Sequence, residues 1–545
     1  MIPPFRLLVC VVCFNFLHGD ALLSSWALKS SQQPEPVPSK EVFVGLDVGT
    51  QGTKCLVYCP HEGRVVARSS VSYGLEPSHV QGRAEQKPSV WVSAVEDCLQ
   101  SVGRQIGGYQ VSGVGVSGQQ HGMVALDSAG TPLRPAKLWC DVEAAEETEQ
   151  LQTLARKAGY DRTFLTPGFT SPKILWMKQH EPELFQRAKW FVLPHDYIVM
   201  ELASLQEQPV TDAGDASGNG FLDTTTRVNI ASLADHIDPT LHDKLPRIIQ
   251  PNEVAGYLND HFRRLLGISD DKPIPVSAGS GDNMCSALGV GCVLPGMAVM
   301  SLGTSGTLFG VSDTPAPLNT PLAPFCSACG QHLPLACTMS CTGVLTQVLR
   351  ECCPKGWTHE DACERLSEST SIDIGCNGLT FLPFLGGERT PNWPHATGAL
   401  LGLTQQTMTN GDNNLLGLLW YRACMEAITF CLADTLQYFP SGKKLDKVLL
   451  VGGGAKNPFW RQMIADVLQC PLVFPVETES AALGAAFQAG AAATGTSVKE
   501  YVLQQNIEME PAEVKPSPDN FKAYEVAFER YRSLGHKLFG KDSKQ

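Results

Sequence analysis

The stretch Gly45-Leu-Asp-Val-Gly-Thr-Gln-Gly-Thr-Lys54 ends the apolar run Val42-Phe-Val-Gly-Leu46 in a turn rich in glycine and threonine. Its composition suggests a phosphate loop. The usual P-loop, however, needs Gly-Lys-Ser/Thr in direct succession, and here Thr53 separates Gly52 from Lys54. The stretch also carries an acid, Asp47, at the end of the apolar run. A carboxylate repels bare phosphates but attracts a magnesium ion that neutralises them. The stretch therefore reads as strand, glycine turn, strand. Its backbone N–H groups can cradle phosphates without a P-loop, and Asp47 is placed to hold their Mg²⁺.

Working outward, Glu41–Val48, Thr53–Tyr58 and Gly63–Tyr73 read as an antiparallel meander, with His61-Glu-Gly63 as a turn. Pro88–Ile106 carries Trp91, Val95, Leu99, Val102 and Ile106 at helical spacing. Val111–Ser117 is an alternating strand, and strands and helices alternate from there, an α/β signature. Near residue 297 the pattern restarts. Met297–Leu302 is apolar, Gly303-Thr-Ser-Gly-Thr307 follows, and Leu308–Val311 is apolar again. The two turns share Gly-Thr-x-Gly-Thr, each between two strands at the head of a half, which points to duplication. The second half continues with a helix over Asn414–Phe439, a strand Lys447–Val451, the glycines 452–454, a helix Pro458–Leu468, a strand Pro471–Val476 and a small-residue helix Ser480–Ala493. Two such halves predict a cleft between them in which two hairpins clamp a polyphosphate.

Other residues carry chemistry. Ser277-Ala-Gly-Ser-Gly-Asp-Asn283 precedes a small-residue helix over Met284–Gly291, so Asp282 sits near a helix N-terminus. Asp caps helices well, but the flanking glycines open the backbone to a ligand. Gln119-Gln-His-Gly122 directly follows the strand Val111–Ser117. A His at the C-terminal end of a central strand lies where α/β sheets bind ligands. Trp139-Cys-Asp141 pairs an aromatic plane with a carboxylate, a combination suited to a polyol. Gly452-Gly-Gly-Ala-Lys-Asn457 joins a strand to a helix. It lacks the last glycine of a dinucleotide fingerprint and suits a nucleoside lying on flat glycine backbone.

A chain of 545 residues exceeds one core and implies two large domains. Hydrophobic content of 43% and charged content of 18% are ordinary for a globular protein, and a net charge of −13 argues against a nucleic-acid surface. The 19 cysteines are scattered rather than spaced as a disulfide framework, so buried free thiols are expected. Beyond the N-terminal apolar run, Cys326 and Cys329 form one Cys-x-x-Cys, with no second pair at zinc spacing, and are read as structural. At the N-terminus, Arg6 precedes the apolar run Leu7–Leu17, and small residues follow at Gly19-Asp-Ala21, as in a signal peptide. A Ser-, Ala- and Gln-containing stretch without acids comes next, then the Pro-rich linker "QQPEPVPSK" over Gln32–Lys40. The expected destination is a plastid or the secretory pathway, with the cytoplasm as alternative. No other segment reads as long and apolar enough to span a membrane.

Taken together, these motifs resemble the FGGY carbohydrate kinases. The segment Gly168-Phe-Thr-Ser-Pro-Lys173-Ile-Leu-Trp176-Met-Lys-Gln-His180 matches the family's first signature at every restricted position. "GLDVGTQGTK", "SGQQHG", "GSGDN", "SLGTSGT", "FLPFLGGERTP" and "VGGGAKNPFWRQMIADV" resemble their counterparts in the same order, over about residues 41–495. His121 with Pro167-Gly-Phe-Thr170 and Glu388-Arg-Thr-Pro391 resembles the branch that takes ketopentoses more than the glycerol branch, which typically has Arg-Glu where this chain has His121-Gly122. Gln51 stands where Ser is usual, Cys140 where Asn is usual, and Leu418 and Leu419 fall in a stretch that is often more polar.

The resemblance implies an α/β fold of two ribonuclease-H-like, actin-like ATPase domains with a cleft between them. Residues 1–40 would be the leader and linker, 41–295 the sugar-binding domain, 296–495 the nucleotide-binding domain, and 496–545 a helical tail packed on the latter. It implies transfer of the ATP γ-phosphoryl to the 5-hydroxyl of D-xylulose, with ribulose, a deoxy-xylulose or glycerol as alternative acceptors. A protein that binds nucleotide and sugar without turnover is the alternative from another class. Asp282 would be the general base. His121, Gln120, Asn283, Trp139 and Asp141 would hold the sugar, and Asp47 the Mg²⁺. Thr50, Gly52, Thr53, Gly303 and Thr304 would meet phosphate, and Gly453, Gly454 and Asn457 the adenosine. Partners would be the sugar and ATP, with no nucleic acid and no membrane after processing; a homodimer is compatible with the sequence.

Overall fold

The computed structural model describes residues 40–160, 165–205, 208–317, 319–405, 413–440, 442 and 444–540. All but the last residue of the leader and linker expected over 1–40 lies outside them. The first sheet is built from the opening stretch. β1 (Lys40–Val48), β2 (Gly52–Cys59) and β3 (Arg64–Ser72) form the expected antiparallel meander. α1 (Pro88–Gly103), with Pro at its start, buries Trp91, Val95, Leu99 and Val102 against it. β4 (Tyr109–Gly118) then pairs parallel to β1. α2 spans Thr170–His180. β5 (Val254–Tyr257) and β6 (Pro275–Ser277) complete the far edge, in the order β5-β6-β4-β1-β2-β3, and β7 (Ser280–Gly281) also pairs β4. α3 is Asp282–Gly289, two residues earlier at each end than expected.

The second half repeats the plan. β8 (Met297–Leu302) and β9 (Gly306–Phe309) are an antiparallel hairpin. β10 (Ala323–Cys326) and β11 (His332–Thr338) extend it on one side. After α4 (Asn413–Asp434), β12 (Lys447–Val451) joins β8 in parallel on the other side. α5 (Pro458–Leu468) and the short β13 (Leu472–Val473) follow, giving the order β10-β11-β9-β8-β12-β13. In both sheets the opening strand has an antiparallel partner on one side and a parallel partner on the other. The duplication suggested by two five-residue turns is thus present at the level of topology. Strand β13 is shorter than the expected 471–476. Prolines at 471 and 475 remove ladder donors; Leu472 pairs with Val448 and also bridges to Val514, and Pro475 bridges to Met509 of the following segment.

Two helices differ from a simple two-lobe picture. α6 (Ser480–Thr494) is made of small residues and is buried along nearly its whole length. It belongs to the second half by position but packs on β1, β4 and α3 of the first. The approach is so close that a Cβ on Gly45 would lie 1.9 Å from the Ala482 carbonyl, and one on Gly484 1.8 Å from the Cys285 carbonyl. This explains why glycine stands in the middle of strand β1. The second helix corrects an expectation: Asn414–Tyr438 is long and apolar enough to cross a membrane, with a mean hydropathy of 1.4. It is nevertheless a core helix. Tyr421, Cys424, Met425 and Ile428 are completely buried among the other elements of the second half. Against it lies α7 (Pro518–Phe539), through a Phe430–Phe528 stack at 5.2 Å between ring centroids. No described cysteine is in a disulfide. Cys326 donates its backbone N–H to Ser217 Oγ at 2.9 Å, and Cys329 Sγ lies 3.1 Å from Ser327 Oγ; both are parts of the β10–β11 turn.

Candidate active site

Strand register brings the acids together. Asp47 on β1 pairs with Ser117 on β4, and Ser117 and Gly118 pair with Ser280 and Gly281 of β7. Neighbouring strands lie about 4.8 Å apart, so Asp282, the residue after β7, emerges two strands over from Asp47. Ser117 Oγ donates to Asp47 Oδ1 at 2.9 Å. Burial pushes the Asp47 carboxyl up to about 6, against that bond and the nearby Lys54 ammonium. Asp282 opens α3, directly after the N-cap Gly281. Its Oδ1 accepts from the backbone N–H of Asn283, in the helix's first turn, and from its Nδ2, at 2.7 and 2.9 Å. Burial first, then the charge of Asp47, lifts Asp282 to about 7.

Asp282 faces a cavity of about 220 Å³ between the two halves. This is the scale of one small polar molecule and smaller than the sites that take drug-sized ligands. The first half contributes Gln120, His121, Trp139, Asp282 and Asn283. Gln120 Oε1 accepts from Asn283 Nδ2 at 2.7 Å, tying the two into one wall. His121 has a left-handed backbone, φ 38°, uncommon for a residue with a side chain. The conformation is held from two sides. The His121 N–H donates to Asp215 Oδ1 at 3.0 Å, and Thr170 Oγ1 donates to its carbonyl at 3.1 Å. Asp215 is itself fixed by His195, Oδ2 to Nδ1 at 2.9 Å. The His121 ring lies 4.9 Å from Phe169 and 5.7 Å from Phe325, centroid to centroid. Burial, with Lys173 and Arg389 nearby, holds its pKa well below the usual value, so the imidazole is neutral. Its Nδ1 makes no hydrogen bond; it lies on the Gly218 side of the ring, 3.8 Å from Asp215 Oδ1.

Several candidate residues occupy other places. Asp141 does not line the cavity. It is fully buried, accepts the Ala84 N–H at 2.9 Å, and lies 3.3 Å from Lys137 Nζ. Lys137 also reaches Glu85 at 3.3 Å and Glu143 at 2.5 Å, so the three clustered acids already surround a cation and need no metal. Trp176 covers that ammonium at 3.9 Å from its ring centroid. Thr53 is fully buried, and its hydroxyl lies 3.1 Å from the Tyr73 hydroxyl, which donates to the Gly49 carbonyl at 2.8 Å. Thr53 braces the hairpin from behind. Thr50 Oγ1 donates to Gln119 Oε1 at 3.1 Å and accepts from Trp139 Nε1 at 3.0 Å, linking the first turn to the cavity wall. A Cβ on Gly52 would lie 2.7 Å from the Val71 carbonyl, so glycine there serves strand packing.

On the nucleotide side, the Gly303 carbonyl accepts from Thr342 N–H and Oγ1, at 3.0 and 2.6 Å. Thr304 is exposed. Gly453 has open space where a side chain would be, whereas Gly454 packs on Leu302 and Trp460. Asn457 caps α5: its Oδ1 accepts the Trp460 N–H at 3.1 Å and its Nδ2 donates to Cys363 Sγ at 2.6 Å. Its amide is thus engaged in structure.

The sequence reading missed part of the wall. Ser301, Ser305 and Thr307 bring hydroxyls from the second hairpin, and Phe325 and Arg389 close the far side. Ser305 and Thr307 were in view within the second Gly-Thr turn. Arg389 stands in the quoted Glu388-Arg-Thr-Pro391 and could have been picked out as a cation near an anionic substrate.

Residues 42–289 match the N-terminal domain, and residues 298–493 the C-terminal domain, of the FGGY family of carbohydrate kinases. The chain belongs to this family. A xylulose kinase from Haemophilus influenzae is 36% identical over 508 residues, covering 90% of this chain and 98% of its own. Among solved structures, a ligand-bound xylulose kinase from Lactobacillus acidophilus superposes with a TM-score of 0.81 at 26% identity, covering 92% of this chain and 99% of its own. A gluconate kinase from the same organism gives 0.80 at 26% identity with the same coverage. The two-domain FGGY kinase fold is therefore the fold of this chain, and it is an ATP- and Mg²⁺-using carbohydrate kinase.

Proposed function

We propose that this protein transfers the γ-phosphoryl group of ATP to the 5-hydroxyl of D-xylulose. The observation that carries the reading is one small cavity on which a raised carboxyl, Asp282, and the neutral ring of His121 converge, with Ser301, Ser305 and Thr307 of the second hairpin also lining it. The relative that is 36% identical along nearly its full length is a xylulose kinase, which selects the sugar among those the cavity could take.

A sugar hydroxyl is a weak nucleophile, and Asp282 accepts its proton as it attacks; such a base contributes roughly 10²–10⁴-fold. A carboxyl near 7 is matched to that task. The bonds from Asn283 leave Oδ2 of Asp282 free of protein partners in the described hydrogen bonds. Neutral His121 accepts from or donates to a sugar hydroxyl through its imidazole, and the Asn283–Gln120 pair orients another. Asp47 fits a magnesium ion. Its carboxylate is deeply set with one hydroxyl donor, and the nearest ammonium, Lys54, is engaged by Glu479 at 2.5 Å. Asp47 would hold Mg²⁺, which when bound neutralises phosphate charge. Serine and threonine hydroxyls of the second hairpin are placed to donate to phosphate, and closure of the two halves excludes water.

A second reading has a specific support: a gluconate kinase is as similar in fold as a xylulose kinase. A panel of D-xylulose, D-ribulose, 1-deoxy-D-xylulose, gluconate and glycerol, read as sugar-dependent ADP release, tests both. Fastest turnover with D-xylulose is expected. A higher kcat/KM for another sugar moves the assignment to it, and ADP release independent of any sugar ends it. For destination we propose entry into a plastid or the secretory pathway through residues 1–40. A fluorescent reporter carrying those residues that stays in the cytoplasm would overturn this.

A further inference from the structure

α2 begins at Thr170, immediately after the cavity wall formed by Gly168 and Phe169, and Lys173 stands in its first turn. The Lys173 side chain is completely buried. Its ammonium turns back and donates to three consecutive carbonyls: Pro167 at 3.1 Å, Gly168, and Phe169 at 3.1 Å. An ammonium has three hydrogens, and each has one acceptor on this loop. The placement is costly in two ways. Burial opposes the charge, lowering the pKa to about 7, and a helix N-terminus disfavours a cation. An apolar side chain would fill the space without either cost but would leave three buried carbonyls to find other donors. The surrounding charges are Asp141, Lys137 and Arg389. Asp141 is within reach of Lys137, and no ion pair joins it to Lys173 among the described residues.

The loop that Lys173 gathers is the floor of the sugar cavity. Phe169 lies against the His121 ring. Thr170, next along, holds the His121 carbonyl. Gly168 packs so closely that a Cβ there would lie 2.6 Å from the Trp139 carbonyl. Three cavity residues, His121, Phe169 and Trp139, thus take their positions from a loop whose carbonyls all point at one ammonium. We propose that Lys173 is a positioning residue for the sugar: by holding residues 167–169 it sets the seat formed by Phe169, His121 and Trp139, and it acts on acceptor binding without acting on ATP. This rests on the reading of the cavity as the sugar site, though not on which sugar fills it.

The test is Lys173→Met, which keeps length and removes the donors. Misplacing a binding group by an ångström costs up to about a hundredfold. Sugar KM should rise about tenfold or more, while ATP KM stays within about twofold. Hydrogen exchange of the amides over 168–170 should quicken, with the second half unchanged. A folded K173M with wild-type sugar KM, or one whose sugar and ATP KM rise together, overturns the proposal. If K173M does not fold, Lys173→Arg takes its place, since it keeps charge and donors in altered geometry. A raised sugar KM alone supports the role, and equal changes for both substrates remove it. The wild-type panel separates the two ideas. Should the wild type prefer another sugar, the xylulose assignment fails and Lys173 is tested with that sugar. Should it turn over none, the functional reading fails and the exchange measurement still decides whether Lys173 orders the loop.

Discussion

The two Gly-Thr-x-Gly-Thr turns are written almost alike and work differently. In the first, Asp47 stands two residues before the turn. At the matching position in the second stands Ser301, on the cavity wall. Thr53 closes the first turn by bonding inward to Tyr73, whereas its counterpart Thr307 lines the cavity. Thr50 is engaged with Gln119 and Trp139, whereas its counterpart Thr304 is exposed. Both turns join the same kind of hairpin in the same kind of sheet. Duplication thus preserved backbone geometry, while side-chain direction and a single acid divided the labour. One turn became a braced strut that carries a carboxylate, and the other an open rim of hydroxyls.

The most damaging way to break this comparison is to make the first turn like the second. Asp47→Ser should lower kcat by roughly a thousandfold, since losing metal-assisted charge neutralisation removes several kcal/mol. Sugar-dependent ADP release at saturating Mg²⁺ measures it. A variant with more than about a tenth of wild-type kcat would mean that the asymmetry carries no chemistry.

Next comes Asp282, which has no counterpart in either turn. Asp282→Asn should retain the sugar, read by a change in Trp139 fluorescence on binding, and lose roughly 10²–10⁴-fold in kcat. The wild-type pH profile gives an independent sign. The base must be ionised to accept a proton, and its value stands near 7. The kcat should therefore climb as pH rises through that region and level off above it. A profile flat from pH 6 to about 8 contradicts the assignment. His121→Ala follows with a smaller effect. It should raise sugar KM about tenfold with little change for ATP, since it removes one polar contact and one ring face.

How much of this was legible depends on what each residue's signal encodes. Asp47, His121 and Asp282 were readable because each stands at or just after the end of a strand, and strand ends converge in a parallel arrangement. Thr53 was read as a phosphate contact, and its hydroxyl turns inward to Tyr73, on the face it shares with buried Cys55 and Val57. The capping role of Asn457 was legible, because Asn before Pro at a helix start is a capping pattern. Asp141 was not decidable. Lys137 is only four residues away, but the bond from the Ala84 N–H comes from a chain segment folded back from 57 residues away. Phe325 belongs to the second half yet walls the first half's site, which no local pattern announces.

The finest test sets the two turn-closing threonines against each other. Thr53→Val removes a buried hydroxyl that bonds Tyr73, and a bond of that kind contributes about 0.5–1.5 kcal/mol to stability. It should lower Tm by a few degrees and leave both KM values near wild type. Thr307→Val alters the cavity rim without disturbing a described side-chain bond. It should leave Tm nearly unchanged and weaken substrate use about threefold to tenfold, as loss of one neutral donor does. Thermal melts and steady-state kinetics on the same preparations read both. The crossing pattern, stability lost in one variant and substrate use in the other, is what a strut and a rim require. If both threonines affected stability alone, the second turn would be a strut as well, and the phosphate contacts would have to come from its backbone.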